Sequence, residues 1–162
     1  MLGRTYERED CSAARALEIT GERWSLLILR NAAFAGMTRF SQFQEGLGIA
    51  PNVLTARLEW FVEQGLMTAD AAGGSYPEYR LTAKGVDFVP ALIALTEWGD
   101  RWAAPDGAPI SYDHRECGGH VSLHLSCDSC GEPVANENVI ARKTEAMTRA
   151  KQRRAGAAAA KA

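Results

Sequence analysis

Two short segments toward the C-terminal end concentrate the side chains able to bind a metal or move electrons: His114-Arg-Glu-Cys117-Gly118 and Cys127-Asp-Ser-Cys130-Gly131. Each reads ligand, two residues, ligand, glycine. A two-residue gap lets both side chains turn toward one ion, and the following glycine frees the backbone to fold around it. Between them Val121, Leu123 and Leu125 alternate with Ser122, His124 and Ser126, the pattern of a β-hairpin that could carry the two turns together. This predicts a zinc site with His114, Cys117, Cys127 and Cys130 as ligands. His120 is a rival fourth ligand, because Cys117-Gly-Gly-His120 has the same gap; the repeated glycine favours His114. Four protein ligands would close the coordination sphere, so the metal would stabilise the fold and catalyse nothing. A Cys127–Cys130 redox pair and metal-free thiols in a loop remain alternative readings.

Cys11 is a separate thiol at the expected first turn of a helix. Unpaired N–H groups there favour a thiolate, while Glu7, Glu9 and Asp10 oppose it, so it is either a redox-sensing candidate or a small packed residue. No nucleophile–base pairing, phosphate loop or open metal motif accompanies these thiols, and all three histidines fall within residues 114 to 124. An enzyme is not expected.

Upstream, helices must do the positioning. Asp10 is expected to cap a helix over Cys11 to about Thr20, with Ala14 and Leu17 facing inward, and Gly21 breaks it. Glu22 to Phe34 reads as a second helix whose Trp24, Leu26, Leu27 and Ile28 form one broad core-facing surface. Phe40, Phe43 and Leu47 recur at helical spacing, and Gly48-Ile49-Ala50 makes a turn. Pro51 suits a first helical position, where its missing N–H would be unpaired anyway. Leu54, Leu58 and Phe61 form the next stripe, ended by Gly65 as a left-handed cap. Leu66 to Ala69 and Tyr79 to Thr82 then read as strands around a wing loop, Asp70 to Pro77, that contains Gly73-Gly74.

That order is the layout of a winged helix-turn-helix, in which the second helix of the pair reads duplex DNA. The face opposite Leu54 and Leu58 carries Asn52, Thr55, Ala56 and Glu59, with Arg57 near its edge. These are short polar or basic groups suited to base edges and phosphates. The expected DNA contacts are Arg39, Ser41, Pro51, Asn52, Thr55, Arg57 and Arg80.

Thr82 suits the N-cap of the longest helix, which runs to about Trp102; Pro90 either kinks it or marks a shifted start. Its stripe of Val86, Val89, Leu92, Ile93, Leu95, Trp98 and Trp102 is broader than one small domain covers, so part of it is expected to pack on a second copy. A homodimer would present two reading helices to an inverted repeat about one helical turn apart.

The fold class is therefore mainly α with a small β-wing, plus a C-terminal Cys/His knuckle with a β-hairpin. Residues 1–104 form the DNA-binding and dimerisation domain. Residues 105–140 form the knuckle appendage, opened by a linker with Pro105, Gly107 and Pro109. Residues 141–162 are a basic, Ala-rich tail expected to be partly disordered.

The formal net charge of −2 gives DNA binding no support by itself. From Arg142 onward seven Lys/Arg stand against one Asp/Glu, while residues 1 to 141 hold 11 basic and 19 acidic groups. Phosphate neutralisation supplies most non-specific affinity, so the chain must cluster Arg39, Arg57, Arg80 and Lys84 or borrow its tail. The acidic balance also admits a zinc-containing protein–protein adaptor on a winged-helix scaffold. No apolar run approaches the ~20 residues a membrane span needs. Met1 to Asp10 is charged rather than signal-like, so a cytoplasmic protein without a membrane partner is expected.

The assembled residues resemble the HxlR-type branch of the MarR-like winged-helix regulators. The likeness runs through Cys11-Ser-Ala-Ala-Arg-Ala-Leu, Gly21-Glu-Arg-Trp-Ser-Leu-Leu-Ile-Leu-Arg30, Arg39-Phe40, Ile49-Ala-Pro-Asn-Val-Leu-Thr-Ala-Arg-Leu58, Gly65-Leu66, Tyr79-Arg-Leu-Thr82, Gly85 and Trp98-Gly99. The resemblance implies a homodimeric transcription regulator that dimerises through its first and long helices, with Asn52, Thr55 and Arg57 on the reading helix. Several members of the resembled branch use a cysteine at the place of Cys11 to sense oxidants or electrophiles, which makes Cys11 a redox-sensing candidate beside its packed reading, with the C-terminal thiols as candidate disulfide partners in competition with zinc. The wing departs from the family pattern, because Asp70 to Pro77 lacks the usual basic residues and leaves Arg80 alone.

Overall fold

The computed structural model describes residues 5–7, 9–71 and 76–159. In chain order its helices and strands are α1 (Ser12–Thr20), α2 (Ser25–Phe34), α3 (Phe40–Leu47), α4 (Pro51–Glu63), β1 (Met67–Asp70), β2 (Glu78–Leu81), α5 (Ala83–Val86), α6 (Val89–Ala103) and α7 (Glu145–Ala159). They belong to two compact units, one of Glu22–Leu123 and one of Met1–Gly21 with His124–Ala162.

In the first of these units, α2 starts at Ser25 rather than Glu22. The Glu22 carbonyl accepts the Ser25 N–H at 2.9 Å and its carboxylate accepts the Trp24 N–H at 3.0 Å, forming a turn ahead of the helix. Gln42 starts α3, its Oε1 accepting the amides of Thr38 and Arg39 at 2.9 Å each. Gly48 leaves α3 at φ 61°, a conformation that glycine adopts without penalty. Ala50 is extended and Pro51 opens α4 as expected. The core is built by Ile28 and Leu29 of α2, Phe43 of α3, Leu54, Leu58 and Phe61 of α4, and Met67 of β1, all essentially inaccessible to solvent.

The strands pair antiparallel from Met67↔Leu81 to Asp70↔Glu78. Each is displaced by one residue from its expected span. The Tyr79 N–H donates to the Thr38 carbonyl at 2.7 Å, tying the hairpin to the approach into α3. Gly73-Gly74, in the expected wing loop, lies outside the described residues.

The long helix is broken, not kinked. Thr82 Oγ1 accepts the Gly85 N–H at 3.2 Å to cap the short α5, and Pro90 falls in the first turn of α6. A proline is tolerated in a first turn because it removes no hydrogen bond there. Leu92 and Ile93 of α6 are buried.

Residues 104–123 stay within this unit. The Tyr112 ring lies 4.4 Å from that of Phe34, its hydroxyl is 3.1 Å from Thr96 Oγ1, and the Leu123 N–H donates to Glu97 at 3.0 Å. Val121 to Ser126 form no ladder of the expected hairpin. Among the described residues the bridges there are Asp113↔His120 and Ser126↔Pro133, each closing a separate tight turn, and these turns take up the backbone groups a hairpin would have used.

In the other unit α1 is capped not by Asp10 but by Cys11, whose Sγ accepts the Ala14 N–H at 3.3 Å. Ala14 is buried, whereas Leu17, expected inside, is half exposed. The tail expected to be partly disordered instead forms α7 from Glu145 to Ala159. Alanine, lysine and arginine are strong helix formers, and Arg149 pairs with Glu145 one turn away at 3.1 Å. Arg154 of α7 donates to the Glu7 carbonyl at 3.0 Å and pairs with Asp10. Among the described residues no helix is long and apolar enough to cross a membrane.

Candidate nucleic-acid interface and cysteine turns

The packing of α4 fixes what it can present. Leu54, Leu58 and Phe61 face the core, so Pro51, Asn52, Thr55, Ala56 and Glu59 remain on the exposed side. Thr55 Oγ1 donates to the Pro51 carbonyl at 3.0 Å, which leaves its methyl and an oxygen lone pair outward. Ser41, on α3, is also exposed. Burial first, then the Glu59 carboxylate, push the Tyr79 hydroxyl above its ordinary value, so it stays protonated at neutral pH.

Arg39 and Arg80 are brought together by an acid. Glu78 receives Arg39 Nε at 3.5 Å and Arg80 Nη2 at 2.5 Å. Sequence reasoning missed this carboxylate, whose one signal was its place two residues from Arg80 on the same strand face. Exposed ion pairs are worth about 0–1 kcal/mol, so Glu78 holds the two guanidiniums only weakly. Lys84 is turned away to the end of α4, its Nζ donating to the Gln64 carbonyl at 2.7 Å.

Arg57 is the correction. Its side chain is only 9% exposed and its Nε lies 3.9 Å from Glu22 Oε2. Position 57 is three residues from Leu54 and four from Phe61, which puts it on the buried stripe of α4 and not at the edge of the reading face. Its aliphatic stem packs inward while its head neutralises the acid that opens α2. Arg57 therefore ties α4 to the turn ahead of α2 and presents little of its side chain to solvent.

The sequence profile of the HxlR-like helix-turn-helix family matches residues 19–107, the stretch that carries α2 to α6. The chain belongs to this family. An uncharacterized HTH-type transcriptional regulator of Mycobacterium tuberculosis is 43% identical over 141 residues, covering 85% of this chain and 87% of that protein. A regulator of the same description from Synechocystis is 31% identical over 104 residues, 62% of this chain and 76% of its own. Among solved structures, the candidate transcription factor PA1607 has a TM-score of 0.77 at 40% identity, covering 86% of this chain and 99% of that one. The candidate transcription factor PA1374 of Pseudomonas aeruginosa has a TM-score of 0.61 at 36% identity, with coverages of 86% and 99%. The HxlR-like stretch amounts to 89 of 162 residues, so the mycobacterial and PA1607 likenesses reach beyond the winged helix. The chain is a transcriptional regulator with the DNA-binding helix-turn-helix fold.

The thiols of this HxlR-like chain occupy three settings. Cys11 opens on a cleft of about 480 Å³ whose lining includes Ser12, Arg142, Lys143 and Met147. In the turn after Asp113, His114 Nδ1 lies 3.1 Å from Cys117 Sγ. In the turn after Ser126, the Cys130 N–H, followed by that of Ser129, donates to Cys127 Sγ and holds its thiol below the ordinary value. His120 faces Ser111, with 3.5 Å between Nδ1 and Oγ. All four cysteines are free. Each turn brings two ligand-type side chains together; among the described residues no three could hold one ion between them.

Proposed function

We propose that the protein acts as a homodimeric, sequence-specific DNA-binding regulator that reads an inverted repeat in the cytoplasm. The observation that carries this reading is the exposed row Pro51, Asn52, Thr55 and Ala56 on α4, held rigidly by the buried Leu54, Leu58 and Phe61 behind it. Arg39, Ser41 and Arg80 would flank that row as phosphate contacts. A second copy is argued from α6. Leu95, Trp98 and Trp102 share one face at i, i+3 and i+7 and are 48%, 61% and 69% exposed. Two tryptophans and a leucine in one open stripe mark an association surface. A two-fold axis there would have to place two α4 helices at half-sites about 34 Å apart.

The test is selection of random duplexes by the reduced, purified protein. Enrichment of an inverted repeat is the expected result. In the same assay Asn52→Ala is expected to lose about 1–3 kcal/mol of discrimination at one base position of each half-site. Arg57→Ala is expected to weaken binding to all sequences alike while leaving the salt slope unchanged, because it removes an anchor. Loss of a phosphate contact would instead lower the slope by about 1. No enrichment by either reduced or oxidised protein would overturn the reading and leave the adaptor in its place.

Regulation is proposed at Cys11, whose cleft is wide enough to admit a peroxide or a small electrophile. Cys11→Ser is expected to retain reduced-state DNA binding and to abolish any peroxide-induced release. Release at the wild-type peroxide concentration would remove Cys11 from the mechanism.

A further inference from the structure

The winged helix offers few cations to a duplex. Arg57 presents little of its side chain to solvent, Lys84 Nζ donates to the Gln64 carbonyl, and Arg39 and Arg80 share the Glu78 carboxylate. Sequence-independent affinity for DNA comes mainly from neutralised phosphates. The positive charge that such binding needs stands elsewhere in the chain, where seven of the 18 Lys/Arg fall from Arg142 onward.

The placement of α7 within its own unit decides which way those cations point. Met147 and Ala150 are half-buried, and Arg154 donates to the Glu7 carbonyl at 3.0 Å and pairs with Asp10. Residues 147, 150 and 154 stand at i, i+3 and i+7, so they mark one inner face of the helix. The outer face then carries Arg149, Gln152 and Arg153, with Lys151 on its flank, and all four are exposed. Arg149 and Arg153 are one turn apart, about 6 Å along the axis. Helix propensity explains why α7 forms; the Arg154 anchor explains why this face is turned to solvent.

Little compensates the charge of that face. Glu145 pairs with Arg149 at 3.1 Å, but the carboxylate is 92% exposed and the pair is of the weak, solvated kind. Among the described residues no carboxylate lies within ion-pair distance of Arg142, Lys143, Lys151 or Arg153. Cations so close in sequence repel one another, and a polyanion relieves that repulsion. For a regulator with a helix-turn-helix fold the polyanion to be met is duplex DNA.

We propose that the outer face of α7 is a sequence-independent contact surface for duplex DNA, with Arg149, Lys151 and Arg153 on backbone phosphates. Gln152 supplies a neutral amide donor beside them. The proposal rests on the reading above for its ligand, yet it requires neither base contacts from α4 nor a second copy of the chain.

The experiment measures binding of the full, reduced chain to a duplex of scrambled sequence over a salt series. Arg149→Gln/Arg153→Gln is expected to flatten the slope of log K against log salt by about 2, because each lost phosphate contact removes about 0.9. Between about 50 and about 200 mM salt the wild-type affinity should therefore fall roughly tenfold further than that of the variant. Glutamine keeps helix propensity, and far-UV circular dichroism checks that α7 persists. If it does not, Lys151→Gln alone, expected to flatten the slope by about 1, decides. Arg149→Lys/Arg153→Lys keeps both charges and should keep the slope. An unchanged slope in the glutamine variants would overturn the proposal. So would a slope lost equally in the lysine variant, or wild-type binding to polyglutamate as tight as to the duplex. Duplex selection reads α4 separately: a flattened slope without an enriched repeat removes the α4 reading and leaves this one, whereas an enriched repeat with an unchanged slope does the opposite.

Discussion

Phe61→Ala is expected to remove about 3–5 kcal/mol from the unfolding free energy, the cost of deleting a core phenylalanine and leaving a cavity behind it. Phe61 is completely buried, and its carbonyl accepts the Leu66 N–H at 2.8 Å at the point where α4 turns toward β1. Leu54 and Leu58 share its face of the helix, so the cavity would open directly behind the residues proposed to read DNA. Domains of this kind are stable by only about 5–15 kcal/mol, so the loss is a large fraction of the total. It would appear as a lower urea midpoint with an unchanged m-value. DNA affinity should then fall with the folded fraction, while base preference of the folded protein persists. Asn52→Ala should do the reverse, moving stability by no more than about 0.5 kcal/mol because its side chain is exposed. A Phe61→Ala loss below about 1 kcal/mol would mean that the three-helix core closes over the gap and does not set the position of α4.

The winged helix was legible because its signals are local and mutually consistent. Phe43, Leu54, Leu58 and Phe61 announce their faces by spacing, Gly48 and Pro51 punctuate the turn, and Tyr79 to Leu81 follow at strand periodicity. Where the reading failed, the deciding partner was distant in sequence or the local rule had two outcomes. Arg57 looked like a phosphate contact because arginine is rarely buried. It is buried because Glu22, 35 residues earlier, meets it at 3.9 Å. Pro90 could kink a helix or start one, and α5 ends at Val86 with Asp87 as its C-cap, which makes Pro90 part of a new start. The tail lacked an apolar stripe, yet helix propensity and pairs such as Glu145–Arg149 order it as α7. The likeness of the His114 and Cys127 turns was half visible. The sequence repeats ligand, gap and glycine, but the matching bridges Asp113↔His120 and Ser126↔Pro133 exist only in the backbone pairing.

Gly85→Ala is expected to be destabilising by about 1–3 kcal/mol for a reason of space, not conformational freedom. A Cβ at this position would stand 2.2 Å from the Leu66 carbonyl oxygen and 3.0 Å from Leu81 Cδ2. The closer contact is backbone, so no rotamer change relieves it, and one of the two segments must move. Neither is free to move cheaply. The Leu66 carbonyl already accepts the Thr82 N–H at 3.0 Å, and Thr82 Oγ1 donates to the Gly65 carbonyl at 2.7 Å. Through these bonds the seat of α5 is also the anchor of the hairpin, whose last pair is Met67↔Leu81. Displacing α5 should therefore loosen both strands and with them Arg80 and Glu78, while the α2–α3–α4 core keeps its packing. Two readouts separate this from general unfolding: a lowered urea midpoint, and faster amide exchange at Thr68 and Arg80 than at Leu54 or Leu58 under native conditions. Equal acceleration in the strands and in α4 would mean that hairpin and core open as one unit, and an unchanged midpoint would mean that the Leu66 carbonyl yields at no cost.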